Sequence, residues 1–127
     1  MPKAPVISIV DDDESVREAT EFLVRSLGYS AATYASAEEY LQSGRVDDSS
    51  CLITDLRMPG MSGADLQDVL IADGNRTPVI FISASLDEQV RSRVLDAGAC
   101  AFLHKPFDEQ SLIDSLHRAL YGETAEP

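Results

Sequence analysis

The segment CLITDLRMPG, residues 51–60, decides the fold. A short apolar run leads into Asp55, and Pro59 and Gly60 then turn the chain, which is a strong loop signal. The pattern predicts a buried strand that presents Asp55 at its C-terminal end. In open α/β sheets, ligands bind beyond the carboxyl ends of the strands, so Asp55 stands where chemistry can occur. An isolated aspartate more often caps a turn than serves as a functional carboxylate. The residues at the other strand ends are therefore needed to distinguish the two interpretations.

The size and charge of the chain limit its class. Its 127 residues predict one domain, and 44% of them are apolar, which is enough for an ordinary core. The net charge is −12, so we expect phosphates to be repelled and direct binding of nucleic acid to be absent. Most of the acidic side chains are expected to form a solvated surface.

Cysteine usage and the absence of targeting signals indicate the compartment. Cys51 and Cys100 lie in apolar surroundings and fit neither a disulfide framework nor zinc spacing. They are interpreted as buried thiols, which suits a reducing cytosol and predicts a cytoplasmic protein. The first apolar run is too short for a signal peptide, and no run approaches the length of a membrane span. No membrane association is therefore expected.

Five apolar runs, bounded by turn residues, predict five β-strands. They lie at residues 6–10, 30–34, 51–54, 79–82 and 101–103. Between and after them, apolar residues at helical spacing predict five helices. The predicted helix starts are Ser15, Ser36, Ser62, Ser85 and Asp108, with the first two as N-caps of capping boxes.

The alternation of strands and helices predicts an α/β fold whose parallel sheet is covered on both faces. Right-handed crossovers leave few topologies, and the doubly wound, flavodoxin-like (βα)5 order 2-1-3-4-5 is expected for five strands. The second strand is weak and is placed at the sheet edge, whereas the fourth is fully apolar and is placed centrally. Residues 1–121 form the predicted domain, and residues 122–127 form a tail or the start of a linker.

Polar side chains follow four of the five predicted strands, at the edge where a ligand would bind. They are Asp11, Asp12 and Asp13 after the first strand, Asp55 after the third, Ser83 after the fourth and Lys105 after the fifth. Convergent carboxylates predict a site for a hard divalent cation, and Mg²⁺ suits oxygen ligands with retained waters. A phosphoryl group also fits, because metal, ammonium and hydroxyl can each take one of its oxygens.

Over residues 6 to about 121 the chain resembles the receiver domain of a two-component response regulator, which has a CheY-like fold. The markers are the pair Asp11-Asp12, the motif DLRMPG from Asp55, the pair Ser83-Ala84 and the segment FLHKP at residues 102–106. Each marker alone is weak, but their joint occurrence at the predicted strand ends is specific. The resemblance implies a phosphoprotein of a phosphorelay, which controls an output domain or partner, with transcription regulation as one such output.

The resemblance implies a role for each site residue. Asp55 would accept a phosphoryl group from a sensor histidine kinase, and Lys105 would contact that group. Mg²⁺, or Mn²⁺ in its place, would be ligated by Asp12, Asp55 and the backbone carbonyl of Arg57, with Asp11 acting largely through a water. The protein would not be a conventional enzyme, since it would catalyse its own phosphoryl transfer and slow autodephosphorylation.

Further residues are implied in switching and signal loss. Ser83 and Ala84 belong to the phosphoryl-binding and switch group, and Phe102 stands at the aromatic switch position. The peptide bond before Pro106 would be cis, which places the preceding ammonium in the site. Phosphorylation is expected to remodel the face of the fourth helix, fifth strand and fifth helix and to favour a homodimer there. The positions expected to control dephosphorylation are Arg57 and Ser85.

Two alternatives compete with this interpretation. A small Mg-dependent phosphohydrolase would use Asp11 as nucleophile and Asp13 as acid, although such enzymes usually carry a cap domain for which this chain has no length. A degenerate receiver that only binds partners is disfavoured by the complete set of acidic pair, acceptor, hydroxyl and lysine. Asp13 matches no ligand of the family and is interpreted as a helix cap.

Overall fold

The computed structural model describes residues 4–85 and 87–122. Strands and helices alternate through this range, as predicted. The elements are β1 (Val6–Val10), α1 (Glu14–Ser26), β2 (Ser30–Tyr34), α2 (Ala37–Gln42), β3 (Cys51–Asp55), α3 (Gly63–Ala72), β4 (Val79–Ser83), α4 (Glu88–Asp96), β5 (Ala101–His104) and α5 (Glu109–Tyr121), with a short 3-10 turn at Val46–Asp48 before β3.

The five strands form one parallel sheet in the order β2-β1-β3-β4-β5, which confirms the predicted topology. β2 lies at one edge, and β4 has a neighbour on each side, as expected. The register brings the C-terminal ends of β1, β3, β4 and β5 close to the same height. Val10 pairs with Thr54, the neighbour of Asp55, and Ser83 pairs with His104.

Successive strand residues point to opposite faces, so the strands supply two separate cores. The core beneath α1 and α5 contains Ile7, Ile9, Val24, Ile53, Ile80, Ile82, Leu112 and Leu116. The core beneath α2, α3 and α4 contains Val10, Tyr40, Leu52, Leu66, Leu70, Phe81 and Val94. Because helices cover both faces of the sheet, the polar side chains of the site lie beyond the C-terminal ends of the strands.

Two helix starts differ from the prediction. α1 is capped by Asp13, whose side chain accepts hydrogen bonds from the backbone N–H groups of Ser15 and Val16. α4 is capped by Asp87 rather than Ser85. In both cases the residue that caps is the aspartate nearest the helix, whose charge also suits the positive end of the helix dipole. The interpretation of Asp13 as a cap is therefore confirmed.

The other three helix starts are confirmed. Ser36, Ser62 and Asp108 each accept a hydrogen bond from a backbone N–H in the first turn of their helix. At Ser62 the capping box is complete. At Ser36 the expected box is altered, because Glu39 bonds the N–H of the preceding Ala35 at 2.7 Å. β3, β4 and β5 each extend one residue further than predicted.

The remaining expectations concern cysteines, membrane and tail. Cys51 is buried, as expected, whereas Cys100 is only half-buried. Among the described residues, no helix has both the length and the apolar character needed to cross a membrane. Apart from Gly122, the predicted tail at residues 122–127 lies outside the described residues.

Candidate functional site

Asp11 is the deepest carboxylate of the site. It follows β1 directly and is completely buried. Its Oδ1 accepts a hydrogen bond from the backbone N–H of Asp13 at 2.9 Å, and its Oδ2 lies 3.1 Å from Lys105 Nζ. Burial raises the pKa of Asp11 and the charge of Asp55 adds to that rise, while these hydrogen bonds oppose it. A positive charge beside Asp11 would therefore stabilise its ionised form.

Lys105 joins the two buried carboxylates. Its Nζ donates to Asp11 at 3.1 Å and to Asp55 Oδ2 at 3.0 Å. Burial lowers the pKa of Lys105, but the hydrogen bond to Asp55 and the charges of both carboxylates outweigh burial, and the pKa is raised. The lysine therefore stays an ammonium, which favours an anionic group near Asp55. The peptide bond from Lys105 to Pro106 is cis, as the resemblance implies.

Asp55 ends β3 and is buried, but its side chain retains some exposure. Its Oδ2 is held by Lys105, and its Oδ1 accepts a long hydrogen bond of 3.4 Å from the backbone N–H of Arg57. Gly63 is the reason that the chain can pack so closely here, because a Cβ at that position would overlap the backbone carbonyl oxygen of Asp55. The sequence did not single out Gly63, because this contact joins a strand end to a helix start.

Three carboxylates of the site are close enough to share one cation. One oxygen from each of Asp11, Asp12 and Asp55 lies within 4.8 Å of the others, and Asp12 is the exposed member of the group. All three ligand atoms are hard oxygens, which Mg²⁺ prefers, and an exposed member leaves room for retained waters. The chemistry of the donor set therefore fits Mg²⁺.

Ser83 begins a short ladder of hydrogen bonds that leads to α4. Its buried Oγ accepts from the backbone N–H of Ser85 at 3.0 Å. The Oγ of Ser85 in turn accepts from the backbone N–H of Asp87 at 3.2 Å. Asp87 then caps α4 by accepting from the backbone N–H groups of Gln89 and Val90. A displacement of the Ser83 hydroxyl would therefore break the first bond of a chain that ends at the helix.

Phe102 lies on β5 beside this ladder. It is half-buried and stacks on Phe81, with ring centroids 6.5 Å apart. A cavity of about 120 Å³ adjoins it, and Ser85, Asp87 and His104 contribute to the lining. Free space next to a half-buried ring allows the ring a second position. Ala84 is exposed between Ser83 and Ser85.

Arg57 lies on the loop that follows β3, and its exposed side chain reaches the start of α4. Its guanidinium Nη2 lies 3.6 Å from Oδ2 of Asp87. Sequence reasoning missed Asp87, because nothing local in the sequence pairs two residues this far apart.

The loop after β3 has a second distant contact. Oε2 of Glu38, on α2, accepts a hydrogen bond from the backbone N–H of Met61 at 2.9 Å. Glu38 therefore helps to fix the loop that carries the carbonyl of Arg57, and it too was missed by the sequence analysis. An acidic residue in the first turn of a helix is so common that its pattern gives no signal of such a role.

The comparisons with known proteins agree with one another. A family model described as the response regulator receiver domain matches residues 7–117. The transcriptional regulatory protein FixJ of Azorhizobium caulinodans is 37% identical over 126 residues, which cover 99% of this chain and 59% of that protein. The response regulator protein TodT of Pseudomonas putida is 42% identical over 118 residues, which cover 93% of this chain and 52% of that protein.

Solved structures show the same likeness. The response regulator StyR matches with a TM-score of 0.86 and 43% identity, and the match covers 92% of this chain and 59% of that one. The chain belongs to the response regulator receiver domain family, since the family model matches most of its length. Members of this family are receivers of two-component systems that sensor histidine kinases phosphorylate, and they generally bind Mg²⁺ at an acidic pocket. The chain spans little more than half the length of the curated relatives it matches.

Proposed function

We propose that this domain accepts a phosphoryl group on Asp55 from a sensor histidine kinase. The observation that carries the proposal is the position of Asp55 at the end of β3, with its Oδ2 held by Lys105 at 3.0 Å and two further carboxylates beside it. The ammonium is placed to take a phosphoryl oxygen once the acyl phosphate forms. Positioning and charge stabilisation, rather than new covalent chemistry by the protein, carry most of phosphoryl transfer.

The ligands proposed for Mg²⁺ are Asp12, Asp55 and the backbone carbonyl of Arg57, with Asp11 acting largely through a water; Mn²⁺ is the alternative ion. A bound Mg²⁺ supplies positive charge to the phosphoryl oxygens that approach Asp55. The raised pKa of Asp11 supports this assignment, because a buried carboxyl gains most from a nearby cation.

The proposed switch joins Ser83, Ala84 and Phe102. The Ser83 hydroxyl turns towards a phosphoryl oxygen and leaves Ser85, and Phe102 moves into the space beside it. Both the hydrogen-bonded ladder and the cavity next to Phe102 support this sequence of events. The face formed by α4, β5 and α5 changes, and a homodimer forms there. Sedimentation with and without beryllofluoride tests the dimer, and a monomer in both samples at high concentration contradicts it.

The proposed partner is a sensor histidine kinase in the cytoplasm. An apolar groove of about 540 Å³ runs beside the site between α1 and the β5–α5 loop, and its lining includes Leu23, Lys105, Pro106 and Phe107. A protein that delivers a phosphoryl group to Asp55 would contact this groove. Because FixJ is a transcriptional regulatory protein, the proposed output is control of transcription through a further domain or partner, without nucleic-acid binding by this domain itself.

Phosphoryl lifetime is proposed to depend on Arg57 and Ser85. Hydrolysis needs a water in line with the acyl phosphate, and Arg57 is long enough to shield that approach, whereas Ser85 is short. We therefore expect Arg57→Ala to lose the phosphoryl group faster than wild type and to change the rate more than Ser85→Ala. Decay of the labelled protein after removal of the donor measures both rates, and equal rates in wild type and Arg57→Ala would contradict the role.

Labelling with acetyl phosphate and Mg²⁺, followed by intact-mass measurement, tests the acceptor. Wild type should gain one phosphoryl group, Asp55→Asn should gain none, and Asp96→Asn, which changes an exposed carboxylate at the end of α4, should behave as wild type. Full labelling of Asp55→Asn outside residues 11–13 would overturn the assignment.

The phosphohydrolase alternative makes a different prediction for the same experiment. It requires Asp11 to attack, and it predicts turnover of a phosphate ester without stable labelling of Asp55. The side chain of Asp11 is completely buried, whereas that of Asp55 is 10% exposed, so Asp11 is the less accessible of these two carboxylates. The receiver function is therefore the better supported one.

A further inference from the structure

Asp87 occupies a position where two contacts from the site meet. Its Oδ1 accepts from the backbone N–H groups that begin α4, and its Oδ2 faces the guanidinium of Arg57 at 3.6 Å. Its own backbone N–H donates to Ser85, the second step of the ladder from Ser83. The loop after Asp55 and the loop after Ser83 therefore both reach α4 through this residue.

The ion pair between Asp87 and Arg57 is weak enough for the guanidinium to leave it for another anionic partner. The side chain of Arg57 is 66% exposed and that of Asp87 is 37% exposed, so solvent weakens their attraction and neither side chain is locked by packing. The backbone N–H of Arg57 meanwhile lies 3.4 Å from Oδ1 of Asp55. The backbone of Arg57 thus lies beside the acceptor carboxylate, while its guanidinium lies at the start of α4.

A phosphoryl group on Asp55 would offer the guanidinium of Arg57 a second anionic partner besides Asp87. A carboxylate carries one negative charge, whereas a phosphoryl group carries more and offers three acceptor oxygens. Arginine binds such oxygens through two parallel hydrogen bonds, a geometry that an ion pair at 3.6 Å lacks.

We propose that Asp87 is a positioning residue that competes with the Asp55 phosphoryl group for the guanidinium of Arg57. This inference rests on the proposed function, because it requires a phosphoryl group on Asp55. In the unphosphorylated domain Asp87 holds the guanidinium away from the line of hydrolysis. In the phosphorylated domain the guanidinium moves to the phosphoryl group, and α4 loses this contact together with the contact that Ser83 supplied through Ser85.

The competition has a consequence for the lifetime of the signal. Hydrolysis adds water to the phosphorus, breaks its bond to the Asp55 oxygen, and returns the carboxylate and inorganic phosphate. Arg57 protects against that attack only while it is at the phosphoryl group. A strong ion pair between Asp87 and Arg57 therefore shortens the lifetime of the phosphoryl group on Asp55, and a weak one lengthens it.

The test uses Asp87→Asn, because asparagine caps a helix as well as aspartate does but carries no charge for Arg57. The control is Asp68→Asn, which removes the negative charge from the 2.6 Å pair with Arg93 between α3 and α4 at comparable exposure. Each variant is labelled with acetyl phosphate and Mg²⁺, the donor is removed, and decay is followed by intact mass at low ionic strength. We expect decay in Asp87→Asn to slow roughly two- to fivefold, the size of an exposed ion pair.

Two further samples separate competition from a structural effect. In an Arg57→Ala background, Asp87→Asn should no longer change the decay rate, because no guanidinium remains to be released. The effect of Asp87→Asn should also shrink in high salt, which screens exposed charges. A change confined to α4 packing would persist in both samples.

The outcomes distinguish this inference from the function on which it rests. Failure of wild type to label at Asp55 overturns both. Labelling of wild type with equal decay in Asp87→Asn overturns the competition alone, and so does an equal effect of Asp87→Asn with and without Arg57. Slowing in Asp68→Asn as large as in Asp87→Asn also overturns it, because loosening of α4 would then be the cause.

Discussion

The two helices that flank β5 are attached to the sheet in different ways. α5 buries Leu112, Ser115 and Leu116, and the two leucines belong to the core that it shares with α1. α4 buries Val94 alone of its nine residues, all of which the structure describes. A helix gains most of its stability in a protein from its packed apolar face, so α5 is the firmly attached helix of the pair.

Polar contacts compensate for the thin apolar face of α4. The buried amide Nε2 of Gln67 donates to the backbone carbonyl of Val94 at 3.0 Å, and Arg93 pairs with Asp68 at 2.6 Å. The N-terminal turn is held through Asp87. Polar contacts can be exchanged for other polar contacts, whereas apolar burial is lost only by exposing surface to water. We therefore expect α4, rather than α5, to be the helix that moves when the charge at the site changes.

The largest test of this comparison is Leu116→Ala. Its side chain is completely buried, so its truncation should lower the free energy of unfolding by about 2–5 kcal/mol. The matched change on α4 is Arg93→Ala, which removes an exposed ion pair and should cost about 0.2–1 kcal/mol. Urea unfolding measures both values. Similar losses in the two variants would show that the helices are attached alike.

Mg²⁺ gives the second test, because the carboxylates proposed to bind it lie where β1 and β3 end, outside the apolar core under α5. At ten times its dissociation constant, Mg²⁺ should stabilise the domain by about 1.4 kcal/mol, seen as a higher Tm in a thermal melt. Asp12→Ala should show a smaller shift. No upward shift in wild type, or an equal shift in Asp12→Ala, would contradict the metal assignment.

The Mg²⁺ effect should also depend on pH in a defined direction. Burial raises the pKa of Asp11 above its value in the unfolded chain. The folded state therefore holds this proton more tightly, and without metal the stability that Asp11 contributes falls as pH rises from the unfolded pKa through the raised one. Mg²⁺ favours the ionised carboxylate, so its stabilising effect should grow over the same pH range. A Tm shift that is independent of pH in that window would contradict this linkage.

The sequence predicted the sheet, and the end of the sheet at which the site lies, because both depend on local signals. Asp11, Asp55, Ser83 and Lys105 each follow an apolar run, and parallel strands bring such positions together. The strand ends needed no knowledge of distant contacts. The cis bond before Pro106, by contrast, was implied only by the resemblance to the receiver family.

What the sequence could not supply are contacts between loops. Arg57 with Asp87, and Glu38 with Met61, join residues whose spacing carries no periodic signal. The misplaced start of α4 has a related cause, because Ser85 and Asp87 are both good caps and tertiary packing decides between them. The correct cap mattered, since it is the residue that meets Arg57.

Gln67→Met gives a smaller test of the polar attachment of α4. Methionine keeps most of the volume of glutamine but cannot donate to Val94, so the free energy of unfolding should fall by about 0.5–1.5 kcal/mol. Hydrogen exchange should become faster in α4, and α5 should exchange as in wild type. Equal acceleration in both helices would indicate a global loss of stability rather than a loosened α4.

The smallest expected effect concerns the far end of α5, where a polar contact assists the apolar attachment. Burial, which is the larger cause, and a hydrogen bond with Tyr121, the last residue of α5, together raise the pKa of Tyr29 to about 12. A raised phenol pKa means that the folded state favours the neutral ring. The stability that Tyr29 contributes is therefore fully present below its unfolded pKa and is lost as pH rises through about 12.

Tyr121→Phe should lower the pKa of Tyr29 but leave it above 10.0, because burial is the larger cause. The NMR shift of the Tyr29 Cζ carbon reports this titration directly. A pKa that stays at about 12 in Tyr121→Phe would show that packing alone anchors this end of α5. The contrast with the charge-held start of α4 would then be sharper than the structure indicates.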